Sequence, residues 1–444
     1  MTNFKRKIYQ KMLDWKNKRK GETALMVQGA RRIGKSTIVK QFAENEYDSY
    51  ILIDFSIAKK EVLALFEDLS DLDYIFVRLQ LIYNVKLVER KSVIVFDEVQ
   101  KQPLARQAIK HLVADRRYDY IETGSLISIK QNVKDIILPS EETKLNMYPM
   151  DYEEFRWALG DTATIDLLKP LFEKQAPLGN AAHRKLMRDF RLYMLVGGMP
   201  QAVGKYLETN NLADVDVVKR DILSLYADDL KKIDPSGKTS AIFNHIPSQL
   251  SKNAARYQVT SVLPNESASR TADCIYELAD SMIVNVVYHT NDPKTGMALT
   301  KDTTRYKLFL CDTGLFVTQI FMDKEVTEPL IYEKLLSDKL DTNLGYVYEN
   351  MVAQIFRASG YEPYYHTIKK ADGKSYYEVD FLLSKGNKIS PIEVKSSGYN
   401  SHISLDKFCE KYSERVGKQY LIYTKDIKKD GELLCLPIYM AMFV

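Results

Sequence analysis

Gly29-Ala30-Arg31-Arg32-Ile33-Gly34-Lys35-Ser36, followed by Thr37, fits the pattern G-x-x-x-x-G-K-[ST]. The apolar run Thr23-Ala24-Leu25-Met26-Val27 before it reads as a buried strand. After it, Ile38, Val39 and Phe42 recur on one side of a helical stretch from Ser36 to Ala43. A strand, a glycine-bracketed turn and a helix start make an anion cradle. The glycines let the backbone curl so that successive N–H groups face phosphate oxygens, and the helix start adds the positive end of its dipole. Lys35 then reaches the β- and γ-phosphates while the Ser36 hydroxyl ligates Mg²⁺. The competing reading, a coincidental glycine-rich turn, is weakened by the flanking strand and helix. Residues 29–37 are therefore expected to hold ATP with Mg²⁺.

Four further strands are expected downstream: Tyr50–Asp54, Ser92–Asp97, Tyr118–Thr123 and Thr143–Tyr148. Helical stretches, including Asp71 to Tyr83 and Leu104 to Val113, lie between them. Strands alternating with helices predict an α/β fold on a parallel sheet. The third strand closes on Val95-Phe96-Asp97-Glu98. Asp97 is placed to hold Mg²⁺ opposite Ser36, and Glu98 to polarise a water for attack on the γ-phosphate. Strand ends are often acidic, so the pair carries weight only because it follows the phosphate loop. The next strand ends in Glu122-Thr123-Gly124-Ser125, where a hydroxyl could sense the γ-phosphate; Thr123 is the first choice and Ser125 the second. A plain Ser/Thr/Gly turn would look the same. Arg116 and Arg117 precede that strand and are candidates for an arginine finger reaching a neighbouring subunit's nucleotide; a solvated basic turn is the alternative.

Together, GARRIGKST, VIVFDEVQ, ETGSL, MYPMDYEEF and VGGMPQAV resemble the bacterial and archaeal AAA-type ATPases of the AAA_14/DUF4143 family. YKLFLCDTGL, VYENMVAQ, EVDFLL and PIEVKSS extend the resemblance over nearly the whole chain. The resemblance implies an additional-strand P-loop ATPase, a helical lid after it, and assembly into a homo-oligomer.

Composition bounds the rest. The 444 residues suffice for about three domains, and a hydrophobic content of 45% with 27% charged residues is ordinary for a globular chain. No apolar run approaches the roughly 18 residues that span a bilayer, and MTNFKRKIYQ lacks a signal peptide's apolar stretch. Cys274, Cys311, Cys409 and Cys435 are far apart, which indicates neither a disulfide framework nor a zinc knuckle and suggests a cytoplasmic setting. Residues 1–20 carry eight of the basic side chains against Asp14 alone, leaving the remaining 424 at −3 within a net +4. Phe4, Ile8, Met12 and Trp15 stripe that segment at helical spacing. A docked helix with a solvated basic face and a nucleic-acid contact both fit.

In the middle of the chain, helices over 239–253 and 267–281 followed by strands at 283–288 and 306–310 suggest a winged-helix module with Ser267–Ser281 as recognition helix. Arg270 and Lys294 could touch phosphates, but Asp273, Glu277 and Asp280 on the same helix would repel a DNA backbone. A packing module is the alternative. Further on, Asp380 stands among apolar residues of the strand Tyr376–Leu383, a costly place for an acid without a cationic partner. Glu393 and Lys395 share a face of the next strand because strands have period two, and Glu349 lies on a preceding helix. This set resembles the PD-(D/E)xK nuclease core. The resemblance implies Mg²⁺ on Asp380 and Glu393, Glu349 completing the metal environment, and Lys395 beside the water. A buried acid–lysine network without catalysis is the opposing reading.

The expected organisation is thus an ATPase core over 1–150, a helical lid over 151–235, a winged-helix-like module over 236–311 and a PD-(D/E)xK-like α/β domain over 312–444. The expected partners are further copies of the chain and DNA, with no membrane. The alternative is a nucleotide-dependent switch for a protein partner, its nuclease-like domain inactive.

Overall fold

Ala24–Gln28 (β1) is buried over its first four residues and lies inside a five-stranded parallel sheet. Its companions are Ser49–Asp54 (β2), Ser92–Asp97 (β3), Asp119–Gly124 (β4) and Glu142–Asn146 (β5), in the order β2-β3-β4-β1-β5. β4 separates β1 from β3, pairing Val27 with Thr123 on one side and Val95 with Ile121 on the other. This is the additional-strand arrangement expected for the P-loop core, in a computed structural model that describes residues 3–124, 140–252, 254–324, 327, 329–337, 345–397 and 401–444.

β3 is buried along its whole length, which an apolar run with sheet neighbours on both sides requires. On one face, Met26, Ile53, Ile94, Phe96 and Tyr120 pack with Phe66 and with Val62, Ile75, Phe76, Ile109 and Leu112 of the crossover helices. Leu25, Val27, Val93, Val95 and Ile121, which alternate with them, are equally buried. The Lys35–Glu46 helix packs against β2, β3 and β4. Parallel strands all deliver their C-terminal ends to one edge of the sheet, and this edge carries the phosphate loop after β1, the Asp97-Glu98 pair at the end of β3 and Thr123 of β4.

The chain divides into two compact units, Met1–Tyr148 with Asp280–Met282, and Pro149–Ala279 with Ile283–Val444. The second unit opens with helices, among them Tyr152–Ala158, Asn180–Val196 and Leu212–Ile233, where the lid was expected. Among the described residues its sheet has eight strands. These are Val284–Thr290 (β6), Lys301–Leu310 (β7), Tyr364–Lys369 (β8), Tyr376–Lys385 (β9), Lys388–Val394 (β10), Gln419–Tyr423 (β11), Lys428–Asp430 (β12) and Leu433–Pro437 (β13). The strands read from sequence as a wing, β6 and β7, do pair as an antiparallel hairpin. They also continue the C-terminal sheet, because β6 pairs in parallel with β8 at Tyr288–Tyr364 and His289–Tyr365. The Ser267–Ser281 stretch is helical over Ala272–Asp280.

Candidate functional site

The phosphate loop begins where β1 ends. A side chain at Gly29 would collide with the Met147 carbonyl oxygen, and Gly34 holds φ 93°, a left-handed conformation that L side chains resist. Arg32 also has positive φ, at 69°. Gly34 directly precedes the Lys35–Glu46 helix, so the loop's N–H groups and the helix start belong to one curl of backbone. These are the features an ATP phosphate chain needs, and Ala30, Arg31, Ile33 and Thr37 complete the stretch. Lys35 is buried, with Nζ donating to the Gly29 carbonyl at 3.1 Å and the Ala30 carbonyl at 2.9 Å. Burial lowers its pKa to about 8, against the opposing pull of Glu98 and Asp97.

Asp97 is the hub of the opposite wall. Ser36 donates its hydroxyl to Asp97 Oδ1 at 2.8 Å, and Thr123 donates to the same oxygen. The two residues expected to share Mg²⁺ are thus in hydrogen-bond contact, and Thr123 joins them. Thr123 also accepts from the Glu98 backbone N–H at 3.3 Å, so one hydroxyl links both acids. Glu98 itself has φ 54° and ψ 44°. A glutamate in the left-handed region costs on the order of 1–3 kcal/mol, a strain that clusters at functional sites. It turns the chain sharply after β3, and Gln100 donates to Glu98 Oε2. Ser125 lies outside the described residues.

The two arginines differ. Arg117 is engaged with Asp115 through Nε at 2.7 Å and through Nη2 at 2.9 Å, also bonds Asp73, and lies 4.6 Å over the Phe76 ring. Arg116 is exposed, with φ 63° at the end of the Pro103–Asp115 helix. Arg6, which no motif singled out, is buried and donates to the Ile33 carbonyl in the loop at 3.0 Å and to Tyr148 at 2.7 Å.

In the second unit, the Ile392–Phe381 pairing of β10 with β9 brings Glu393 and Asp380 opposite each other one step on. Asp380 Oδ2 accepts from the Val394 backbone N–H at 2.8 Å, and Lys395 donates to Glu393 Oε1 at 2.7 Å. Burial, then Glu393 and Glu349, push Asp380 well above the usual carboxylate range. Burial raises Glu393 as well, against the pull of Lys395. A cavity of about 250 Å³ is lined by Lys307, Glu349, Glu378, Asp380 and Lys395 among others. The structure thus brings the four sequence candidates together, and adds two residues that the nuclease-like set read from sequence leaves out. Lys307 of β7 pairs with Glu349 at 3.4 Å and with Glu378 of β9 at 2.5 Å. Glu378 shares a face with Asp380 by period two, and that was the available signal. Among the described residues, no group of three or more His, Cys, Asp or Glu side chains is arranged to hold a metal. Arg270 donates to the Asn265 carbonyl at 3.4 Å, and Lys294 pairs with Asp292 at 2.9 Å.

The glycine curl, the buried lysine and the Ser36–Asp97–Thr123 contacts define the first unit as a P-loop domain of the ATPase type. Residues 21–156 match the family signature of an AAA domain. Residues 187–325 and 344–439 match two domains of unknown function, DUF8612 and DUF4143. The chain therefore carries an AAA-type P-loop domain, followed by two stretches similar to those domains. No curated protein matches it. Among solved structures, the Walker-type ATPase PABY2304 of Pyrococcus abyssi is similar at 15% identity and a TM-score of 0.43, over 72% of this chain and 96% of that one. A STAND protein with a tetratricopeptide repeat sensor, PH0952 of Pyrococcus horikoshii, follows at 11% identity and 0.27, over 79% and 45%. Cdc6p of Pyrobaculum aerophilum is 11% identical at 0.24, over 75% and 94%.

Proposed function

We propose that the chain hydrolyses ATP and uses the cycle in DNA processing. The observation that carries the ATPase reading is the convergence of Ser36 and Thr123 on Asp97 Oδ1, with Glu98 one residue on. Bound Mg²⁺, held by Ser36 and Asp97, would neutralise charge developing on the phosphates. Lys35 binds the β- and γ-phosphates, and the 29–37 backbone cradles them. Glu98 accepts the proton of the attacking water as its oxygen bonds the γ-phosphorus and the bond to the β–γ bridging oxygen breaks. Gln100 donates to Glu98 Oε2, which supports Oε1 as the oxygen that takes the proton. Thr123 orients Asp97 and senses the γ-phosphate. In a homo-oligomer, Arg116 is the better candidate to complete a neighbour's site, since Arg117 is held by Asp115 and Asp73.

The DNA part of the reading is supported by the basic N-terminal segment and by the nuclease-like acids. In that reading Asp380, Glu393 and Glu349 would hold a divalent cation, with Lys395 beside its water. The ion pairs of Lys307 with Glu349 and Glu378 favour a second reading, in which the nuclease-like domain is catalytically silent and the chain is a nucleotide-dependent switch for a protein partner. ATP turnover with and without single-stranded, duplex and branched DNA separates the two, with Arg116→Ala and Arg117→Ala as further arms. DNA processing predicts stimulation by at least one DNA form, and completion of the site by a neighbouring copy predicts loss of turnover in Arg116→Ala at unchanged nucleotide affinity. Turnover indifferent to every DNA would favour the switch.

A further inference from the structure

We infer that Lys307 is the resident cation of the C-terminal acidic pocket, standing in for a divalent metal and opposing its binding. The inference rests on the second reading above. Lys307 lies in the run Tyr306–Leu310 of β7, every residue of which is buried, and is itself 6% exposed. It cannot turn to solvent without breaking that packing. Lys395, with a side chain 36% exposed, can. The Lys307 ammonium reaches one carboxylate from the Gly345–Ala358 helix and one from β9, and lies 5.8 Å from the Tyr365 ring centroid.

Each of the four acids already has a partner within the chain. Glu349 and Glu378 have Lys307, Glu393 has Lys395, and Asp380 has the Val394 N–H. A cavity of about 250 Å³ leaves room for an ion with its waters, so the obstacle is charge rather than space. A divalent ion takes carboxylate oxygens at roughly 2–2.6 Å. On Glu349 it would face an ammonium 3.4 Å from Oε2, one that the fold holds in place. In a pocket of low dielectric that repulsion is poorly screened.

The test is calorimetric titration of Mn²⁺, without nucleotide, into the full-length wild type, Lys307→Met, Lys307→Arg and the double variant Lys307→Met/Glu378→Gln. Asp380→Asn in each background identifies the heat that belongs to this pocket. Should Lys307→Met leave the buried carboxylates too poorly compensated to fold, the double variant removes one charge of each sign; circular dichroism establishes which variants are folded. The expected result is no pocket-specific heat for wild type or Lys307→Arg, and a gain in affinity on the order of tenfold or more in Lys307→Met or the double variant. Pocket-specific binding in wild type that the methionine variants leave equal or weaker would overturn the inference. Absence of binding in every folded variant would also overturn it, while leaving the silent-domain reading standing. Wild-type binding accompanied by metal-dependent DNA cleavage would remove that reading too.

Discussion

Lys35 meets two opposing demands, burial in the folded protein and a positive charge for the phosphates. Burial lowers its pKa to about 8, and Glu98 and Asp97 pull the other way. Bound phosphates favour the ammonium, so the pKa in the complex lies above that of the free protein. Affinity is then greatest below pH 8 and declines as pH rises from that value towards the pKa of the complex. A fluorescent ATP analogue titrated between pH 7 and 9.5 should bind about tenfold more weakly per unit above 8, the slope of one linked proton. Lys35→Met should bind weakly with a flat profile; a flat wild-type profile would contradict the assignment. At this scale the sequence was legible wherever a residue type is expensive in its setting. Asp380 stood out because an acid among apolar residues needs a partner. Lys307, between Tyr306 and Leu308, carries the same signal with the opposite sign. It went unread because 306–310 reads from sequence as one strand of a wing, where a solvated face leaves a lysine at no cost.

Elements were legible where their cause is local. The five strands of the first sheet and the helix after the glycine turn follow from apolar runs and spacing, and they lie within a few residues of expectation. The partner of β6 was not legible, because pairing with β8 joins positions 76 residues apart and leaves no trace in local periodicity. The N-terminal helix Ile8–Arg19 illustrates both cases. Of its expected stripe, Ile8, Met12 and Trp15 are buried, whereas Phe4 precedes the helix and is half-buried. That this helix straps the phosphate-loop helix was hidden. Arg6 bonds the loop carbonyl of Ile33, while Tyr9 donates to Glu46 at 2.6 Å and Lys16 to the Glu46 carbonyl at the helix's far end. Arg6→Ala removes both bonds of its guanidinium to the Ile33 and Tyr148 carbonyls, each worth roughly 1 kcal/mol net and more if a carbonyl is left buried and unpaired. ATP affinity should fall about tenfold and the thermal midpoint by several degrees, as read by nucleotide titration and by thermal unfolding. Unchanged affinity would mean that the strap holds the helix without shaping the loop.

For the whole molecule, the central claim is that one edge of the parallel sheet assembles an ATP-hydrolysing site, with binding and chemistry carried by different residues. Steady-state turnover alone would not separate them. The direct measurement pairs equilibrium ATP binding with Mg²⁺-dependent phosphate release for wild type, Lys35→Ala and Glu98→Gln. Glu98→Gln should bind ATP as wild type does and release phosphate on the order of 10²–10⁴-fold more slowly, since an amide cannot accept the water's proton. Lys35→Ala should lose binding. Full turnover in Glu98→Gln, or equal loss of ATP binding in both variants, would contradict the account.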